Sequence, residues 1–227
     1  MTKKKEHVQK HIHLWDIPSR YIPRKSNGKA YARELLRITK SLDFTDRQIQ
    51  YSAQICGFNI KSINQKSGFI PYPPDVFAKL EEFVYHYENY CYRLYTYREK
   101  LLQFVNAVLP VGYQDREVRI RFVLINPIVK QAGILQLLAL FKKNASLSKV
   151  IEERTQLTHR LYYWKDVDTY LRPMTEIKKD KELLKWYDDW KKEVSSRAIL
   201  TNKCSKLVSQ INNTLAQKIV DYKEATK

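Results

Sequence analysis

Arg154 and His159 are the residues whose types and spacing suit chemistry. They lie five apart in LSKVIEERTQLTHRLYYW, from Leu147 to Trp164. An imidazole titrates near neutrality, so it can take a proton from a reacting atom or give one back. A guanidinium keeps its charge; buried without a counter-charge it is costly, and it is expected to reach an acid, a phosphate or a cleft. Leu147, Val150, Ile151, Leu157, Leu161 and Trp164 recur at threes and fours, which turns one helix face toward a core, and Arg154 falls on that face. Glu152, Thr155, His159, Tyr162 and Asp166 form a polar stripe beside it. On a regular helix five residues turn about 140° and climb about 7.5 Å, so the pair does not share a face. Both reach one phosphate only if the helix starts irregularly near Arg154 or a second subunit completes the site.

The elements that must hold this pair read as helices. Asn126-Pro127 is an N-cap followed by proline at the first helical position, and Ile128 to Lys142 is apolar enough for the central buried helix of a bundle. The short turn Lys142 to Ser146 makes it an antiparallel neighbour of the Arg154 helix. Upstream, Pro71, Pro73 and Pro74 break the chain and seed a long helix from Asp75 to Val108, ended by Pro110 and Gly112. This helix is rich in tyrosine, a residue that can stack on unpaired bases or fill a core. It also carries Glu88 and Glu99, alternative partners for Arg154. The last helix is expected from Lys181 to Glu224. Between the long helices Asp115 to Phe122 alternates Val118, Ile120 and Phe122 with Arg119 and Arg121 in a strand-like way, too briefly to imply a sheet.

The N-terminal third reads differently. Residues 1–28 form a basic arm with His11 and His13, a pair with no carboxylate or cysteine cluster to complete a metal site. A helix is expected from Lys29 to Leu42. Thr45 and Gln48 then make a capping box with Phe44 and Ile49 as a hydrophobic staple, starting a helix that stops at Gly57, with another from Ile60 to Lys66. Ala53, Gly57 and Ile63 have helix-turn-helix offsets, which would expose Asn59, Lys61, Ser62, Asn64 and Gln65 to DNA.

Composition limits the classes. A chain of 227 residues, 44% hydrophobic, can bury a core. Five glycines and eight prolines favour long helices over a turn-rich β architecture. The balance of 41 basic to 24 acidic residues, +17, attracts polyanions through counterion release, RNA or DNA before an anionic membrane surface. No segment has the length of a membrane span, and no apolar stretch follows the basic start to make a secretory signal. Cys56, Cys91 and Cys204, odd in number and far apart, suggest free thiols in the cytoplasm. With no Walker-type glycine loop, G-x-S-x-G or acidic metal triad, neither cofactor nor metal is expected.

Arg154-x4-His159 resembles the Arg-x4-6-His motif of the HEPN superfamily. The resemblance covers about residues 74–225, after the 1–28 arm and a small helical region at 29–70. It implies an all-α antiparallel bundle that dimerises and cuts RNA without metal at the dimer cleft, leaving a 2′,3′-cyclic phosphate. Arg154 and His159 would be catalytic, with Thr155, Tyr162, Glu88 and Glu99 auxiliary. Nucleic acid would be held by Arg119, Arg121, Arg160, Asn59, Lys61 and Gln65. A toxin or defence role follows from the resemblance alone, and with it a neutralising antitoxin as a candidate partner. Two alternatives stand beside it: a non-catalytic helix-turn-helix regulator using residues 45–66, and a helical protein-interaction module.

Overall fold

The computed structural model describes residues 14–17, 28–65, 74–109, 111–114, 117–159 and 180–226. Among the described residues a 3-10 turn at Leu14–Asp16 is followed by seven α-helices: α1 (Gly28–Gln65), α2 (Pro74–Val108), α3 (Ile120–Val123), α4 (Pro127–Gln131), α5 (Leu135–Lys143), α6 (Ala145–His159) and α7 (Asp180–Ala225). No strand occurs among the described residues. The all-α expectation holds, and α2 and α7 run over nearly the spans their apolar stripes predict.

Three local expectations are corrected. The first concerns α1, a single helix of 38 residues with no break at Gly57, so the two-helix geometry of a helix-turn-helix is not formed. Thr45 is no N-cap; it is buried in mid-helix, where its hydroxyl accepts from Lys100 Nζ at 2.9 Å. Burying a continuous apolar face outweighs the capping signal.

The second correction concerns the helix expected from Ile128 to Lys142, which is two. Asn126 caps it as expected, its side chain accepting from Ile128 N at 2.9 Å. The helix then ends at Gly133, whose φ of +65° is left-handed. Gly133 N donates to Lys130 O and Ile134 N to Val129 O, the paired bonds of a Schellman stop. Third, the Asp115 to Phe122 run gives the short helix α3 from Ile120 onward.

The chain divides into two compact units: Met1–Ser41, Leu102–Leu138 and Val208–Lys227 in one, Leu42–Leu101 and Ala139–Leu207 in the other. In the first, Leu35, Leu102, Phe104, Ile134, Ile211 and Leu215 are buried, and the Tyr31 hydroxyl donates to Ala107 O at 2.8 Å. In the second, Ile49, Phe83, Tyr87, Tyr90, Leu94, Phe141, Leu147 and Val194 form the core. There the Tyr90 hydroxyl donates to Thr201 O at 3.0 Å, tying α2 to α7.

Cys56, Cys91 and Cys204 are free, buried and all in this second core. Burial is the main cause that pushes the Cys56 and Cys204 thiols from 9.0 up to about 12, and it drives Cys91 well above its ordinary value. Unfolding returns each thiol to its ordinary value, so the stability contributed by keeping them protonated is complete below pH 9 and is lost as pH rises toward 12. Urea midpoints measured from pH 7 to 11 are expected to hold to pH 9 and fall beyond it, with Cys56→Ala and Cys204→Ala flattening the fall. An equal fall in those variants would place its cause elsewhere.

Candidate functional site

Helix α6 begins at a side-chain cap. Asn144 Oδ1 accepts from Ser146 N at 3.0 Å and Leu147 N at 3.2 Å, satisfying two of the helix's unpaired amides. From there α6 is a regular α-helix past Arg154 to His159. Its buried face carries Ser146, Leu147, Val150, Ile151 and Glu153. The charged residue inside is therefore Glu153, and Arg154 is only half-buried. The apolar spacing placed the arginine on the inner face; the structure turns the inner face one residue back.

Glu153 has a dedicated environment. The Tyr87 hydroxyl donates to its Oε2, and the Arg197 guanidinium lies 5.5 Å from the centre of the Tyr87 ring. Arg197 NH1 donates to Glu193 at 2.6 Å on its own helix. Burial first, then the negative charge at Glu153, raises the Cys91 thiol. Burial also raises the Tyr87 hydroxyl well above its ordinary value, so it stays a donor at any pH of interest.

Arg154 is held by aromatic rings of α2. Its guanidinium carbon is 4.0 Å from the centre of the Tyr95 ring and 5.8 Å from that of Tyr92. Tyr95 meets a second cation, Arg98, at 4.6 Å. Arg98 in turn pairs with Glu99 at 2.7 Å. Glu88 is half-buried, with a carboxyl raised by that burial. Cation–π attraction holds a guanidinium over a ring face without using its N–H fork.

The other expected site residues distribute as follows. Thr155 is exposed and its hydroxyl donates to Ile151 O at 3.4 Å. His159 is the last residue of α6; its side chain, with Arg160 and Tyr162, lies outside the described residues. Arg119 and Arg121 are exposed in the first unit, where the Arg121 guanidinium sits 4.6 Å from the Phe122 ring. Lys61 is exposed on α1, and the side chain of Gln65 lies outside the described residues. Asn59 is corrected: its amide is fully buried, so it presents nothing to nucleic acid. It follows Ser52 and Cys56 along the inner face, a register visible only once α1 is one helix.

A family model described as Cthe2314-like HEPN matches residues 36–219. The chain belongs to the HEPN family. Neither the curated proteins nor the solved structures give a match. The HEPN span contains α2 to α6 whole, with Arg154 and His159, and it begins inside α1, well before the residue 74 at which the motif resemblance starts. Among the described residues no helix of this HEPN protein is long and apolar enough to cross a membrane. No group of three His, Cys, Asp or Glu side chains among them could hold a metal ion.

Two features escaped the sequence. Tyr92 and Tyr95 are legible as tyrosines at helical spacing, but nothing in the pattern assigns them to Arg154. Glu153 carried no signal beyond standing three after Val150. Its burial makes it testable: Tyr87→Phe strips a buried carboxyl of its donor and is expected to cost about 1–3 kcal/mol. The measure is a lowered urea midpoint at unchanged slope, and an unchanged midpoint would show that the hydroxyl contributes nothing.

Proposed function

We propose that this HEPN protein binds RNA and cleaves it without metal as a homodimer, Arg154 and His159 supplying the catalytic groups, in a toxin or defence setting with a neutralising antitoxin as partner. The observation that carries the reading is Arg154: half-buried on α6 and seated 4.0 Å from the centre of the Tyr95 ring. A guanidinium held in this way suits a phosphate. The charge of +17 supports a polyanionic substrate.

In this reading the ribose 2′-oxygen attacks the adjacent phosphorus, and the bond from phosphorus to the 5′-oxygen breaks. The imidazole of His159 exchanges a proton with the 2′-oxygen or with the departing 5′-oxygen, and Arg154 stabilises the charge on the phosphorane between them. The products carry a 2′,3′-cyclic phosphate and a 5′-hydroxyl. Thr155 and Tyr162 are auxiliary candidates, with Arg119, Arg121, Arg160 and Lys61 as further phosphate contacts.

The regular course of α6 from Ala145 to His159 supports a site shared between two copies. On such a helix the two residues are separated by about 140° and about 7.5 Å. In this reading one copy supplies the arginine and the other the histidine.

Cleavage of total and synthetic RNA in EDTA is expected, with cyclic phosphate ends, and is expected to be lost in Arg154→Ala and His159→Ala while both keep their fold. Equal cutting by the variants, or none by the parent, would sink the nuclease assignment. The two inactive variants provide a second test. Mixed in equal amounts with subunit exchange, a shared site rebuilds one intact Arg–His pair in each mixed dimer, half of all dimers, so about a quarter of parental activity returns. A site contained in one chain regains nothing.

A further inference from the structure

Within the second unit, the exposed residues of α1 among those whose burial is described are Phe44, Arg47, Tyr51, Gln54, Phe58 and Lys61. Their spacing alternates three and four, so they form one straight stripe along the helix. The three rings recur every second turn, about 10.5 Å apart. Phe44, Tyr51 and Phe58 are 50%, 52% and 58% exposed, and Tyr85 on α2 is 64% exposed. His86 stands with its ring edge-on between Tyr51, at 5.9 Å, and Tyr85, at 5.2 Å. Lys79 Nζ lies 5.8 Å from the centre of the Phe58 ring. A phenyl ring gains nothing from water, and apolar surface gathered in this way marks a contact site.

Charge decides between occupants. None of the six exposed residues is acidic. Arg47 does pair with Asp43 at 2.8 Å, yet its side chain is 70% exposed against 33% for the aspartate, so the cation is outermost. Lys79 pairs with Glu82, the two side chains about equally exposed. A second copy of this face would set Arg47 and Lys61 against like charges with no exposed acid on the stripe to meet them, and crowding cations together out of water is costly. A single strand of nucleic acid meets both features at once, with π-faces for the rings and phosphates for the cations. A duplex keeps its bases inside and cannot use the rings.

We infer that this face of α1 is a docking track for single-stranded RNA, bases stacking on Phe44, Tyr51 and Phe58 and phosphates meeting Arg47 and Lys61. The inference rests on the RNA-binding part of the proposed function and is independent of whether Arg154 and His159 cut.

The test uses the full chain carrying Arg154→Ala, so that RNA stays whole, and fluorescence anisotropy with an oligouridylate of about 16 nucleotides. Tyr51→Ala is expected to weaken binding about tenfold and the triple Phe44→Ala, Tyr51→Ala, Phe58→Ala further, whereas Tyr51→Trp retains it. Arg47→Gln and Lys61→Gln should each lower the slope of log affinity against log salt by about 0.7. The variants lie on the surface, and circular dichroism checks that the helices persist. Unchanged affinity in the triple variant overturns the track, as does a switch from dimer to monomer with RNA binding intact, which would make the face a seam between copies. Lost affinity in a protein that never cuts RNA leaves the track standing and removes the nuclease; cutting that depends on Arg154 and His159, with affinity untouched by the triple variant, does the reverse.

Discussion

The hydrogen bond from Tyr87 to the buried carboxyl of Glu153 is the constraint from which the site's geometry follows. A carboxylate taken out of water is tolerated only where donors and a counter-charge meet it. Here the donor comes from α2, and Arg197, stacked near the Tyr87 ring, brings positive charge from α7. Sliding α6 along its neighbours by one residue would leave that acid buried without its donor, a loss of about 1–3 kcal/mol for an unsatisfied buried group. The polar contact thus fixes a register that the surrounding leucines and valines would tolerate in several positions.

Arg154 inherits its position from that register. It follows Glu153 by one residue and so points about 100° away around the helix. With Glu153 directed inward, the arginine falls at the edge of the core, where Tyr92 and Tyr95 of α2 receive it. The tyrosines of this one helix divide by position. Tyr87, Tyr90 and Tyr97 are fully buried, and Tyr85 and Tyr92 face water. A ring with one polar atom suits both sides: inside, Tyr90 closes a hydrogen bond to α7, and at the edge Tyr95 offers its face to two guanidinium groups.

Much of this was legible. Long apolar stripes at threes and fours gave α2 and α7 nearly to their ends, since repetition over many turns leaves one face only to bury. Asn126-Pro127 gave a cap that the structure forms. What failed was local punctuation set against long-range packing. Thr45 and Gln48 have the residue types of a helix start, but those types act as caps only where the preceding backbone is non-helical; in α1 it is not, and Thr45 serves Lys100 instead. Gly57 did not stop its helix, because glycine costs a helix interior only about 1 kcal/mol. Gly133 did stop one, through a positive φ that the residue's letter does not reveal. For the site, the sequence supplied the arginine and its helix but mistook which neighbour is inside, a decision taken by a single tyrosine hydroxyl 66 residues away.

A continuous α1 changes what the N-terminal third contributes. Broken into two helices, residues 45–66 would present a recognition surface to duplex DNA, with Asn59 at its centre. Unbroken, the same residues turn Asn59 inward beside Cys56 and carry Phe44, Tyr51 and Phe58 outward on the opposite side, interleaved with Arg47, Gln54 and Lys61. The family span begins inside this helix, so the surface belongs to the HEPN domain itself. One helix therefore spends its two faces differently: the inner one closes the core that holds α2, and the outer one leaves rings and cations in water, where stacking and phosphate contacts are both open to a strand that has not paired.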